Sequence, residues 1–164
     1  MREEAILIGI SQLGAVFAGF IAIFMVFTQA NGRFSPIDAV RVRIIIYTSF
    51  AVVLASLLPI VLHGLGIAPE WLWRIATGAY LILGGIISFD IFQSQRALDK
   101  ANAPDRNTRT IRIIARILNI SLFVFGALII AGVGHGGYYV LLLVMNLTMA
   151  GLTFISSAMH RLFS

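Results

Sequence analysis

Five long runs of apolar residues constrain this chain more than any other feature of its sequence. A helix needs about 20 mostly apolar residues to cross the ~30 Å hydrocarbon layer of a membrane. The runs therefore predict an all-α integral membrane bundle of five transmembrane helices, with residues 1–164 forming a single transmembrane domain. The predicted spans cover roughly residues 5–28, 43–62, 71–92, 113–131 and 138–159.

The composition excludes several classes of protein. Hydrophobic residues make up 59% of the 164-residue chain and charged residues 12%, with a mean hydropathy of +0.95, which is far from the average of soluble domains. There is no cysteine, so disulfides, thiolate metal sites and cysteine nucleophiles are excluded. The net charge of +5 lies in short loops between apolar runs, which indicates membrane topology and predicts no binding of nucleic acid.

The distribution of lysine and arginine predicts an orientation. These residues favour the cytoplasmic side of a membrane, because moving them across it is costly. Only Arg2 and Arg74 fall on one side of the predicted bundle. We therefore expect an outside N-terminus, an inside C-terminus and a place in a bacterial cytoplasmic membrane. The other ten basic residues share the predicted inner side: Arg33, Arg41, Arg43, Arg96, Lys100, Arg106, Arg109, Arg112, Arg116 and Arg161.

The second helix is predicted to begin in the inner interface, before its apolar run. Ser35 is a suitable N-cap, Pro36 suits the first helical position, and Asp38 complements the positive helix end. Arg41 and Arg43 follow, and they are predicted to anchor the helix to lipid phosphates. Arg109, at the end of the polar loop 94–109, is predicted to do the same. Anionic headgroups on the cytoplasmic side are thus the expected partners.

Polar and small residues follow one face of the later helices, because they recur at steps of three and four. Such a face could line a hydrated path, or it could pack helices together, since membrane helices meet through small residues and asparagine. The first span also carries small residues, Ser11, Ala15 and Gly19, which suit a close helix contact within the chain or in a homo-oligomer. The candidate polar path comprises Arg112, Arg116, Asn119, Asn146, Thr153 and Ser157.

Two ionisable residues lie deeper than the ends of the spans. Asp90 in the third span and Arg116 in the fourth fall at similar depth, because the two helices run antiparallel. We expect an ion pair that clamps the helices together, while a gate or a proton-coupled site is the functional alternative.

No catalytic or cofactor motif stands out. GxSxG, HExxH and GxxxxGK[ST] are absent, and no span contains two carboxylates, so we expect no enzymatic activity and no cofactor. His63 and His135 each lie beside a glycine at the outer end of a span. They could bind a metal with Glu70 as a third ligand, but we interpret them as ordinary loop histidines.

The segment FSPIDAVRVRIIIYTSFAVVLASLLPIVLHGLG, Phe34 to Gly66, resembles a segment of small multi-pass proteins of the bacterial inner membrane. The resemblance covers about a fifth of the chain and implies no activity. Five spans are also similar to the translocator proteins that bind porphyrin and cholesterol-like ligands. The tryptophan- and proline-rich signature of that family is missing here, so its function is not carried over.

Two hypotheses of function follow from these patterns. In the first, the protein is a small oligomeric channel or transporter, and its arginines favour anions at the inner mouth of the polar path. In the second, it is a non-catalytic accessory or assembly subunit that binds lipid or another membrane protein. The polar residues then only hold helices together.

Overall fold

A computed structural model shows an all-helical fold. It describes residues 3–30, 36–101 and 106–162, with side chains described over 3–27, 39–94, 96, 113–114 and 116–155. No strand occurs in these residues, so the predicted all-α class is confirmed, and α2 begins at Pro36 as predicted. Ser35 and the side chain of Asp38 lie outside the described residues. The helices are α1 (Glu4–Ala30), α2 (Pro36–Gly64), α3 (Pro69–Ala101), α4 (Arg106–Ile130) and α5 (Gly136–Leu162).

Four of the helices are long and apolar enough to cross a membrane, by length and composition. Their apolar parts are Glu4–Phe27, Ala39–Gly64, Pro69–Ser94 and Gly136–Ile155. The apolar part described for α4 is shorter, Arg116–Ile130. Four candidate spans are therefore found where the sequence predicts five, and the fifth crossing and the orientation stay predictions.

Helices α2, α3, α4 and α5 close into a ring in which each contacts the next and α5 returns to α2. Consecutive helices run antiparallel, and α1 lies in the groove between α2 and α5. Gly14 of α1 allows a close approach to α2, since a Cβ there would lie 3.0 Å from Val53 Cγ2 and 3.2 Å from the Ser49 carbonyl. The close contact of α1 within the chain is thus made at Gly14, beside the predicted surface, whereas Ala15 and Gly19 of that surface are exposed.

Two short connections lie at the same end of the ring, and they end α2 and α4 in the same way. Gly66 and Gly132 adopt positive φ angles of 76° and 86°. The amide that follows each glycine reaches back to the helix: Ile67 N donates to the Leu62 carbonyl at 3.1 Å, and Val133 N donates to the Leu128 carbonyl at 3.0 Å. We call this end, with His63 and His135, the histidine end. The opposite end, with Arg43, Arg96 and Arg116, is the arginine end.

The apolar core is concentrated in the half of the bundle nearer the histidine end. Its buried residues come from all five helices and include Leu7, Val52, Leu72, Ile129 and Leu142. A second, smaller cluster lies nearer the arginine end, with Ile21, Val42, Ile45 and Ala150 buried. Among the described side chains, that cluster comes from α1, α2 and α5, and the described contacts of α3 with α4 at the arginine end are of other kinds.

Candidate functional site: the polar residues between the helices

The polar faces predicted for α3 and α4 face each other. Asn119 Nδ2 donates a hydrogen bond of 3.1 Å to Ser88 Oγ. One turn further along α4, Phe123 lies beside Gly85, and beyond it a Cβ on Gly126 would lie 2.7 Å from Leu81 Cδ1. Successive contacts lie later in the sequence of α4 and earlier in that of α3, as expected for two antiparallel helices. Asn119 and Gly126 thus lie in a packed seam.

The second asparagine of the predicted path also binds α3. Asn146 Nδ2 of α5 donates a hydrogen bond to the hydroxyl oxygen of Tyr80, a buried residue two turns before Ser88. Interhelical hydrogen bonds of this kind hold membrane helices together in an environment without competing water. Both asparagines are therefore used between helices, and α3 is their common acceptor.

A third interhelical hydrogen bond replaces a backbone hydrogen bond that a proline removes from α2. Pro59 lies inside α2 and has no N–H, so the Ala55 carbonyl, four residues earlier, lacks its helical partner. The Tyr139 hydroxyl of α5 donates to this carbonyl at 2.8 Å, and the Tyr139 side chain is fully buried. A carbonyl left bare in hydrocarbon would cost several kcal/mol, so Tyr139 satisfies an obligatory acceptor.

The position of Tyr139 differs from the one that its place in the sequence suggests, and its hydrogen bond to α2 was not predicted. Sequence position suggests an interfacial belt of Trp71, Trp73, Tyr138 and Tyr139 at the histidine end. Trp71 and Tyr138 are exposed there, whereas Tyr139 points into the core and packs on Trp73 with ring centroids 5.5 Å apart. The signal that could have found its role is Pro59, because a proline within a span implies a free carbonyl one turn earlier.

Several hydroxyl groups of the spans bond their own helix. Thr153 Oγ1 donates to the Met149 carbonyl at 2.9 Å, and Ser56 Oγ donates to the Val52 carbonyl at 2.7 Å. Ser49 and Thr77 differ, since their hydroxyl oxygens are buried and accept or donate no hydrogen bond among the described residues. Of the remaining residues of the predicted path, the side chains of Arg112 and Ser157 lie outside the described residues.

Asp90 does not pair with Arg116. Its Oδ2 lies 3.6 Å from Arg43 Nη1 of α2, and both side chains are about half exposed, at 48% and 50%. The reason is that α3 has two antiparallel neighbours, α2 and α4, and Asp90 lies on the α2 side. Arg116 faces the ring of Phe92 instead, with its guanidinium carbon 6.0 Å from the ring centroid.

The structure describes the side chains of two of the three predicted lipid anchors. Arg43 is exposed and engaged with Asp90, and Arg41 is half-buried on the same helix. Arg109 lies outside the residues whose side chains are described.

His63 and His135 are exposed at the histidine end, as is Glu70. Within the described part of the chain, no three histidine, aspartate or glutamate side chains stand close enough to hold a metal ion. The geometry therefore offers no support for a metal site built from these residues.

The fold and these contacts define a class, an all-helical protein with long apolar helices that is compatible with insertion in a membrane. Its exposed side chains agree with that class, since Phe20, Phe27 and Val26 on α1 are more than 60% exposed and would be unfavourable in water. Comparison with protein-family models, with curated proteins and with solved structures gives no match to this chain.

Proposed function

We propose that the protein is a non-catalytic accessory or assembly subunit of a bacterial cytoplasmic membrane. In this proposal the polar residues between its helices hold the bundle together, and its partners are lipid or another membrane protein, including a second copy of itself. The observation that carries the proposal is the use of Asn119 and Asn146 in hydrogen bonds to α3. A residue engaged in this way is satisfied without water.

The proposed topology has five crossings, with the N-terminus outside and the C-terminus inside. Ten basic residues on the predicted inner side of the sequence against two on the predicted outer side support the orientation. The fifth crossing is supported by α4, which runs beside α3 from Phe92 to Leu81 and continues to the loop at Gly132, where Arg74 lies within contact distance. A helix that follows a membrane-spanning neighbour over this length crosses the same layer.

The second candidate function is a small channel or transporter, and one observation favours it. The buried hydroxyls of Ser49 and Thr77 have no partner among the described residues. Buried polar groups are usually satisfied, by protein or by water. A chain of internal water would satisfy both hydroxyls and would extend the polar path.

Cysteine accessibility separates the two functions, because the chain has no cysteine of its own. Single cysteines at Asn119, Asn146, Thr153 and Ser157 would be labelled with a water-soluble maleimide in lipid vesicles. Val133 in the exposed loop at the histidine end serves as the accessible control, and lipid-facing Ile120 serves as the protected control. The accessory role predicts that the four positions react like Ile120.

Labelling of these positions at the rate of Val133 would overturn the proposal that the polar residues are packed between helices without water. Solute flux would then be measured on Asn119→Leu and Ser157→Leu, which should block transport and leave folding nearly intact if the path is wet. In a packed seam, Asn119→Leu should instead lower the stability of the bundle, because Ser88 loses its partner.

A further inference from the structure

Two arginines from different helices meet on one aromatic ring at the arginine end. The guanidinium carbon of Arg96, on α3, lies 4.1 Å from the centroid of the Phe92 ring, and that of Arg116, on α4, lies 6.0 Å from it. Cations are attracted to the face of such a ring. The two guanidinium carbons are therefore at most about 10 Å apart, and at that distance their like charges repel each other.

No acid compensates this pair within the described part of the chain. Asp90, six residues before Arg96 on α3, is directed to Arg43 on the other side of the helix. Arg96 and Arg116 are exposed, so both guanidinium groups are accessible from outside the bundle. An anion placed between them would replace a repulsion with two charge-assisted hydrogen-bonded contacts.

The depth of the pair indicates which anion is available. Arg96 follows the predicted third span, 71–92, by four residues, and Arg116 lies about one turn inside the predicted fourth span, 113–131. Both guanidinium groups thus lie near the level where the hydrocarbon layer gives way to headgroups, and both lie beside the exposed ring of Phe92. Basic pockets between membrane helices at this level bind phospholipid headgroups, and the planar fork of arginine matches a phosphate.

We propose that Arg96 and Arg116, which both lie against the ring of Phe92, form a binding site for the phosphate of an anionic phospholipid between α3 and α4. The site rests on the proposed membrane insertion and is independent of whether the core is wet or dry. It differs from the anchors predicted from sequence, Arg41, Arg43 and Arg109, because two helices build it together. A lipid bound there would also contact α3 and α4 together and so hold the two helices to each other.

The test measures lipid retention by the whole protein. The parent protein and the double variant Arg96→Gln/Arg116→Gln would be reconstituted in nanodiscs of phosphatidylcholine with a small fraction of phosphatidylglycerol or cardiolipin, then extracted and weighed by native mass spectrometry. Arg74→Gln is the matched control, because Arg74 also covers an aromatic ring, Trp71 at 5.5 Å, but at the opposite end. We expect about a tenfold loss of bound anionic lipid in the double variant and no loss in Arg74→Gln.

Two further arms keep the result decisive. Arg96→Lys/Arg116→Lys retains the charge and loses the guanidinium fork, so we expect a loss of several-fold; it also serves if the glutamine variant does not fold. Inorganic phosphate, titrated against the detergent-solubilised protein, should not displace the lipid at millimolar concentration.

Equal retention of anionic lipid by parent and double variant would overturn the site, as would full retention by the lysine variant. Displacement of the lipid by millimolar phosphate would show that the site binds a soluble anion instead. None of these outcomes depends on labelling at Asn119, so failure of the lipid site and failure of the accessory role are separate results.

Discussion

The two halves of the bundle are held together by different forces. Near the histidine end, all five helices contribute to one apolar core, and the buried polar groups Tyr80 and Tyr139 are bonded across helices. Near the arginine end, the apolar cluster formed by the described side chains is small and comes from α1, α2 and α5. There α3 and α4 meet through Asn119 and Ser88 and through charged groups around Phe92.

This difference separates the residues that determine the fold from those available to a ligand. Substitutions in the closed, apolar half lower stability, because water there neither fills a cavity nor satisfies an unpaired polar group. An open, charged half contributes little to stability, since half-exposed ion pairs are screened by solvent. Substitutions in the two halves should therefore differ in their effect on the free energy of unfolding, and the following predictions test that difference.

The largest effect is expected at Tyr139 in the closed half. Tyr139→Phe removes the donor that satisfies the Ala55 carbonyl and should lower the free energy of unfolding by about 1–3 kcal/mol. Tyr138→Phe, at the exposed neighbouring position, is the matched control and should change it by less than about 0.5 kcal/mol. Unfolding in mixed detergent–SDS micelles, followed by tryptophan fluorescence, gives both values.

Pro59→Ala sharpens this prediction. Alanine supplies the amide that proline lacks, so the Ala55 carbonyl regains a partner within α2. In the Pro59→Ala background, Tyr139→Phe should therefore cost less than it does in the parent. An equal loss of unfolding free energy in both backgrounds would show that Tyr139 acts through packing alone. It would contradict a stabilising hydrogen bond from its hydroxyl to the Ala55 carbonyl.

An intermediate effect is expected at Gly126, where the α3–α4 seam enters the closed half. Gly126→Ala places a Cβ 2.7 Å from Leu81 Cδ1, and such overpacking costs about 1–3 kcal/mol, partly offset by the better helix propensity of alanine. Gly84→Ala is the matched control, since nothing lies within 4 Å of its Cβ. The same unfolding assay should show a loss for Gly126→Ala and none for Gly84→Ala; equal values would mean that the seam is loose.

The helices and their apolar faces could be predicted from the sequence, because hydropathy and the start signal at Pro36 are local properties. The contacts of the polar residues could be predicted less well. Helical spacing predicts that Ser88 and Asn119 lie on polar faces of α3 and α4. It does not predict whether those faces pack together or contact water. Helical spacing gives the direction of a side chain, and hydration depends on which helix closes the space in front of it.

The contacts of Asp90 and Tyr139 depend on the arrangement of the whole bundle. Depth in two antiparallel helices pairs Asp90 with Arg116, but α2 is a second neighbour of α3 and Asp90 lies on its side. Sequence position places Tyr139 in the interface, whereas the packing of α5 on α2 brings its hydroxyl to the Ala55 carbonyl. Which neighbouring helix a side chain contacts has no local signal in the sequence.

The smallest effect is expected at the ion pair of the open half. Asp90→Asn should lower the free energy of unfolding by less than about 1 kcal/mol, because both partners are about half exposed, and the loss should disappear in high salt. A double-mutant cycle identifies the partner: Asp90→Asn with Arg43→Gln should be less than additive, whereas Asp90→Asn with Arg116→Gln should be additive. Coupling to Arg116, or a loss as large as that of Tyr139→Phe, would mean that the arginine end is closed and that charge there supports the fold. Weak coupling to Arg43 alone would leave Arg116 available to a phosphate.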